Sequence, residues 1–279
     1  MLPIFTCPAP SGLDLAFDTT FTIMDSTNST INLPNRPSPE VISKGSTECL
    51  DWIEASLNAI YAAYLHTPTS DKVPSLERSS WLGIYNAVHE YSRPTKSSTE
   101  PQRGAHLRDL RGKDLYDALE RQVAVHCRDA AGLIVALEDD LTLIQSYLEQ
   151  WDRLAQVAGL ISRLLRSLYR HYIKRAVDEQ KGGQKMCPEV YDIEDLHKKL
   201  WKQEVLRLPY AAQKLDEGNP QIVEAVERLQ KSVDGGAADN EQQRELLKRF
   251  AKSLVFVGVK FTASSPDDPE PVVREEGFG

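Results

Sequence analysis

The stretch from Val157 to Asp178 constrains the fold more than any other part of the chain. Wound at about 100° per residue, it gathers Val157, Ile161, Leu164, Leu165, Leu168 and Tyr172 on one side of a helix. Arg163, Arg166, Arg170 and Lys174 fall in a narrow stripe on the other side. Such an apolar side has to be covered by neighbouring elements, and the same period recurs along the chain to supply them. Trp52, Ile53, Leu57, Ile60, Tyr61 and Tyr64 repeat at three- and four-residue steps and stop at His66-Thr67-Pro68. Further helical segments are expected from Leu76 to Tyr91, from near Asp114 onward, and from Leu137 to Leu154. Others are expected from Ile193 to Leu206, Pro220 to Val233 and Gln242 to Val257. Only Leu254 to Phe261 is β-branched and aromatic enough to compete as a strand. The expected class is all-α: a helical bundle of about five long helices and the start of a second repeat.

Punctuation residues set the expected boundaries. Residues 1–46 are rich in Thr, Ser, Asn and Pro, and Pro34, Pro37 and Pro39 oppose a packed helix there. This segment reads as a disordered tail, with Met24 an alternative start. Residues 47–235 form the main helical domain, 236–262 begin a second repeat, and the acidic, proline-rich 263–279 read as a second disordered tail. Between Arg93 and Gly112 two prolines and two glycines in polar sequence predict a long loop.

Charge and motif content narrow the function. A net charge of −8 and a pI near 5.4 give no basic footprint for nucleic acid. No apolar run approaches the roughly 18 residues of a membrane helix, so no membrane partner is expected. Cys7, Cys49, Cys127 and Cys187 are scattered without zinc spacing and read as reduced thiols. His126 and Cys127 are adjacent, so on a helix they diverge by about 100° instead of forming a nucleophile–base pair. Glu138-Asp139-Asp140 suits the start of a helix, and His171 and His197 lack a metal-ligand partner at i+4. Gly182-Gly183 and Gly235-Gly236 lack the strand, turn and lysine of a phosphate loop. Neither catalysis nor a cofactor or metal is expected.

Two faces remain to be explained. The arginine–lysine stripe carries like-charge repulsion of a few tenths of a kcal/mol per i,i+4 pair. It is either a solvated face or a docking stripe for an acidic partner. In the segment around Trp81, the residues Trp81, Leu82, Tyr85 and His89 widen the apolar arc beyond the core stripe of Ile84 and Val88. That arc is either buried between two neighbours or an interface anchor.

At these residues the chain resembles the cullin family, specifically the first N-terminal repeat of its SCF-type form. The family's aromatic-x-x-Leu-Tyr-x-x-Val-x-x-Tyr pattern is matched in WLGIYNAVHEY by Trp81, Ile84, Tyr85, Val88 and Tyr91. Gly112, Leu115, Tyr116 and Leu119 fit its Gly-x-x-Leu-Tyr-x-x-Leu. YLEQW, from Tyr147 to Trp151, matches Tyr-x-x-Gln-Trp, and LYRHYIKR, from Leu168 to Arg175, resembles the family's basic helix with Asp178-Glu179 after it. Leu200-Trp201 resembles the start of the next helix, and the likeness covers about residues 48–260.

The resemblance implies a non-catalytic scaffold in ubiquitin-dependent protein degradation, located in cytoplasm and nucleus. Its implied partner is an acidic Skp-type, BTB/POZ-like adaptor carrying an F-box protein. By position the docking residues are Trp81, Leu82, Tyr85 and His89 from one helix and Arg166, Ser167, Arg170 and Lys174 from another. Ser167 stands near where the family usually has tyrosine. A cullin-homology region is not expected after the repeat, nor is a RING subunit expected to bind. The alternative is a helical-repeat tethering or assembly subunit unrelated to ubiquitin, favoured if Trp81 and Tyr85 are fully buried.

Overall fold

The structure, a computed structural model, describes residues 30–66, 74–92, 101–182, 189–209, 214–235 and 240–259. They form an all-α assembly: α1 (Pro39–Lys44), α2 (Thr47–His66), α3 (Arg78–Ser92), α4 (Pro101–Val135) and α5 (Asp140–Leu164) come first. After α6 (Arg166–Leu168), a π-helical turn over Tyr169–Ile173 leads into α7 (Lys174–Lys181). Then follow α8 (Ile193–Glu204), a short 3-10 turn, α9 (Pro220–Asp234) and α10 (Asn240–Phe256). Among the described residues no strand forms, and an isolated bridge pairs Thr30 with Ser75. The competing strand at Leu254 is therefore helix through Phe256.

Caps explain the helices whose starts are sharpest. Asp139 accepts from the Thr142 amide at 2.9 Å, which accounts for the acidic run before α5. Asn219 accepts from the Gln221 amide at 3.2 Å, and Pro220 takes the first helical position of α9, where a missing N–H leaves nothing unpaired. The carbonyl of Leu65, near the open end of α2, accepts from Arg153 at 2.9 Å, so a cation satisfies a helix C-terminus.

α5 is the central helix: it packs against α2, α4, α8, α9 and α10. Trp151 and Trp201, fifty residues apart in sequence, meet here with ring centroids 5.6 Å apart. Tyr147 sits against Trp201 at 5.5 Å and Phe250 at 4.9 Å, both edge-on, and accepts from the Trp201 indole at 3.1 Å. α10, expected to open a second repeat, thus shares this core through Phe250 and Leu254.

Several expectations are corrected. The N-terminal tail does not extend to residue 46. Ile31 and Ile42 are buried, Pro34 accepts from the Trp52 indole at 3.1 Å, and α1 forms because Pro39 occupies its first turn behind the capping Ser38. Gly45 ends α1 in the left-handed region at φ 55, where an added Cβ would lie 2.6 Å from Arg111 Nη1. Residues 1–29 and 260–279, which include both remaining tail expectations and Met24, lie outside the described residues. The loop expected up to Gly112 gives way at Pro101 to α4. Gly112 is a packing position: a Cβ there would come 2.7 Å from the Tyr172 Cβ. The break expected between Leu154 and Val157 is absent, because nothing in Ala155-Gln156 interrupts the ladder and α5 runs unbroken to Leu164.

Candidate docking face

α3 buries Gly83, Ile84, Ala87, Val88 and Tyr91 and turns its remaining arc outward. On that arc Trp81, Tyr85 and His89 recur every fourth residue, so their rings lie one above another. The Trp81 and Tyr85 rings are 5.2 Å apart and tilted by only 10°, and Tyr85 and His89 are 6.5 Å apart and tilted by 9°. All three are half-buried, and Leu82 beside them is 43% exposed. The outer arc is therefore not sealed between two neighbours. That removes the condition set for the tethering alternative.

The basic stripe starts at Arg163 in the last turn of α5 and continues beyond it, and its backbone is not one straight helix. Leu165 leaves helical geometry at φ −92, ψ 20, and the chain restarts as α6 and widens into the π turn. Core contacts hold this irregularity in place: Leu164, Leu165, Leu168 and Ile173 are fully buried, and Tyr172 lies against Gly112 and Tyr116. Arg163, Arg166, Arg170 and Lys174 are exposed as the sequence predicts. None of these four forms an ion pair or side-chain hydrogen bond among the described residues. Among the described residues their mutual repulsion is thus not offset by an ion pair.

The structure adds residues that a straight helical wheel misses. His171 and Arg175 fall away from the stripe at α-helical phase, yet both are exposed here, widening the basic face; Arg175 faces Glu179 at 3.6 Å. No sequence signal marks a π turn, so this widening could not be read in advance. Arg36 also joins α3, with its Cδ 3.7 Å from where a Cβ on Gly83 would sit.

A hydrogen bond links the two halves of the face. α3 packs against α6, and His89 Nδ1 lies 3.2 Å from Ser167 Oγ. Ser167 itself is only 4% exposed. Its assignment as a direct docking contact is therefore corrected: it points into the α3–α6 seam, where α6 needs a small side chain. The same burial closes the hydroxyl to a substrate, so the pair is a structural link and not a nucleophile with its base.

The other candidate groups are interior. His126 and Cys127 are both buried on α4, and burial pushes the His126 imidazole down to about 4 and the Cys127 thiol far above its ordinary range. His197 is buried with its Nδ1 2.6 Å from the Ile193 carbonyl and its Nε2 2.7 Å from the Tyr61 hydroxyl. Among the described residues no group of three or more His, Cys, Asp or Glu side chains is placed to hold a metal ion. A cleft of about 760 Å³ between α5 and α10, lined by Glu149, Glu241, Glu245, Leu148 and Leu246, is remote from the aromatic ladder.

No solved structure matches the chain. The family model for the Cullin alpha solenoid domain does, over residues 52–264. That span takes in α3 through α10 and with them both halves of the docking face. A solenoid of this kind, with open helix faces and its titratable groups either exposed or sealed inside, identifies the chain as a member of the cullin family, the scaffolds of ubiquitin-ligase complexes.

Proposed function

We propose that this chain acts as a non-catalytic cullin scaffold of the SCF type, docking a Skp-type, BTB/POZ-like adaptor that carries an F-box protein. It would do so in cytoplasm and nucleus, within ubiquitin-dependent protein degradation. One observation carries the reading: a half-buried ladder of parallel rings lies beside four exposed cations that form no ion pair among the described residues. Aromatic side chains anchor an interface by desolvating large rigid area, while unpaired cations steer and select an acidic partner. Trp81, Leu82, Tyr85 and His89 supply the first part, and Arg166, Arg170 and Lys174 the second, with Ser167 behind them.

A pull-down with purified adaptor tests it. Wild type is retained, whereas the double change Tyr85→Ala/Arg170→Glu loses about 2–4 kcal/mol of binding free energy, as expected at an interface centre. Equal retention of the two proteins, or none of the wild type, sinks the proposal.

A further inference from the structure

Ser167 is shut off from any partner, yet it touches the ladder that a partner would meet. Its side chain is 4% exposed, and its Oγ reaches His89 Nδ1 at 3.2 Å across the α3–α6 seam. His89 lies parallel to Tyr85, and Tyr85 to Trp81, one turn of α3 apart along the same face. An imidazole with one nitrogen tied at its back has its second nitrogen on the far edge of the ring. Arg166 precedes Ser167 in the chain and Arg170 follows one turn later, both exposed.

We infer that Ser167 is a positioning residue for docking: its buried hydroxyl fixes the His89 ring in register with Tyr85 and Trp81, so that Nε2 is offered to a carboxylate of the acidic partner beside Arg166 and Arg170. The inference rests on the adaptor reading for its partner. The link it assigns is internal to the chain and is testable without one. His89 joins the aromatic half of the face to the basic half, and Ser167 acts only through it. A ring left untied would sample other rotamers and both neutral tautomers, and binding would then have to select among them.

The test is a double-mutant cycle with purified Skp-type adaptor–F-box complex, read by calorimetry, together with the long-range ¹H–¹⁵N spectrum of the His89 imidazole in the free chain. Ser167→Ala weakens binding about five-fold, the size of one neutral hydrogen bond. His89→Ala weakens it about ten-fold, and the double variant is no weaker than His89→Ala alone. In the free protein Ser167→Ala shifts the His89 ring nitrogens. Ser167→Cys, which keeps the volume with a poor hydrogen-bonding group, reproduces both effects if the alanine variant folds badly. Additive losses in the cycle overturn the inference, as does an unchanged imidazole spectrum. Failure of wild type to bind the adaptor would remove the docking proposal instead, and the spectrum alone would then decide whether Ser167 sets the His89 ring.

Discussion

Tyrosine and histidine are combined at two places in this molecule, with opposite outcomes. Between α2, α4 and α8, Tyr61 lies 5.2 Å from the His126 ring and 5.9 Å from the His197 ring, tilted against both. A carbonyl can only accept, so the 2.6 Å contact to Ile193 places a proton on His197 Nδ1, and the Tyr61 hydroxyl donates to Nε2. That polarity is spent inside the bundle. His126 beside it has both ring nitrogens buried without a hydrogen-bond partner among the described residues. On α3 the rings are parallel and half-buried, and among the described residues only one His89 ring nitrogen is tied. The difference lies in what surrounds the rings: three helices enclose the first set, while one seam backs the second. The first set is sealed inside the fold and out of a partner's reach. The second keeps apolar edges and polar atoms available to a partner.

The largest expected break in this contrast comes from the interior. Trp201 is fully buried, donates to Tyr147 at 3.1 Å and carries Trp151 on its ring. Trp201→Ala should cost about 3–5 kcal/mol in urea unfolding, through lost contacts and a cavity that α5, α8 and α10 cannot close. Trp81→Ala, on the partly buried ladder, should cost less, about 1–2 kcal/mol in the same measurement. Equal losses would mean that the ladder belongs to the core after all.

Acid should act on the interior set next. Burial, and then the neighbouring His197 and His66, hold His126 at about 4, against an ordinary 6.5, and burial holds His197 at about 4 as well. Tyr61 is the other titratable ring in contact, and its hydroxyl is pushed far above its usual range by burial. Because the folded pKa values lie below the unfolded ones, the unfolded chain takes up protons first as pH falls. Stability is fully present above pH 6.5 and declines as pH drops toward 4, by up to about 3 kcal/mol per histidine. His126→Leu removes one of the two titrations and one unpartnered polar ring, so its stability curve should be flatter over that interval. A slope unchanged from wild type would show that His126 is not sealed.

Much of the helical frame was legible because its signals are local. The periods of α2, α3 and α8, the Pro220 start of α9 and the acidic cap before α5 all need only neighbouring residues. What escaped depends on distant contacts. Gly104 and Gly112 suggest a loop, yet Gly112 is in α4 because Tyr172 presses against it. The chain breaks at Leu165, inside a leucine-rich run with no glycine or proline, and the π turn after it shifts His171 and Arg175 into the exposed face. The candidate site divides the same way. Trp81, Tyr85 and His89 share a face by spacing alone, but the tie between His89 and Ser167 spans seventy-eight positions and exists only once α3 and α6 are docked.

Gly112 tests whether the seam under the basic face is tight. A methyl group at that position would sit 2.7 Å from Tyr172 Cβ and 2.7 Å from its Cγ, on the π turn that follows α6. Gly112→Ala should therefore destabilise by about 1–3 kcal/mol and displace the turn, despite alanine's better helix propensity. A gain in thermal stability would show that the seam has room to spare.

Gly132 on α4 and Gly159 on α5 carry the smallest expected effect, and it has the opposite sign. Both are inside helices, and a Cβ added to either meets nothing within 4 Å. Neither glycine is held by a close approach or a positive φ, so each leaves the unfolded chain its extra backbone freedom with nothing gained in the fold. Gly132→Ala and Gly159→Ala should each add about 0.5–1 kcal/mol in chemical denaturation. Neither residue belongs to the aromatic ladder or the basic stripe, so adaptor affinity should not change. If either variant weakened binding at full stability, the docking face would have to extend past α3 and the stripe from Arg163 to Lys174 onto the body of α4 or α5, and the division between sealed interior and open ladder would need a third region.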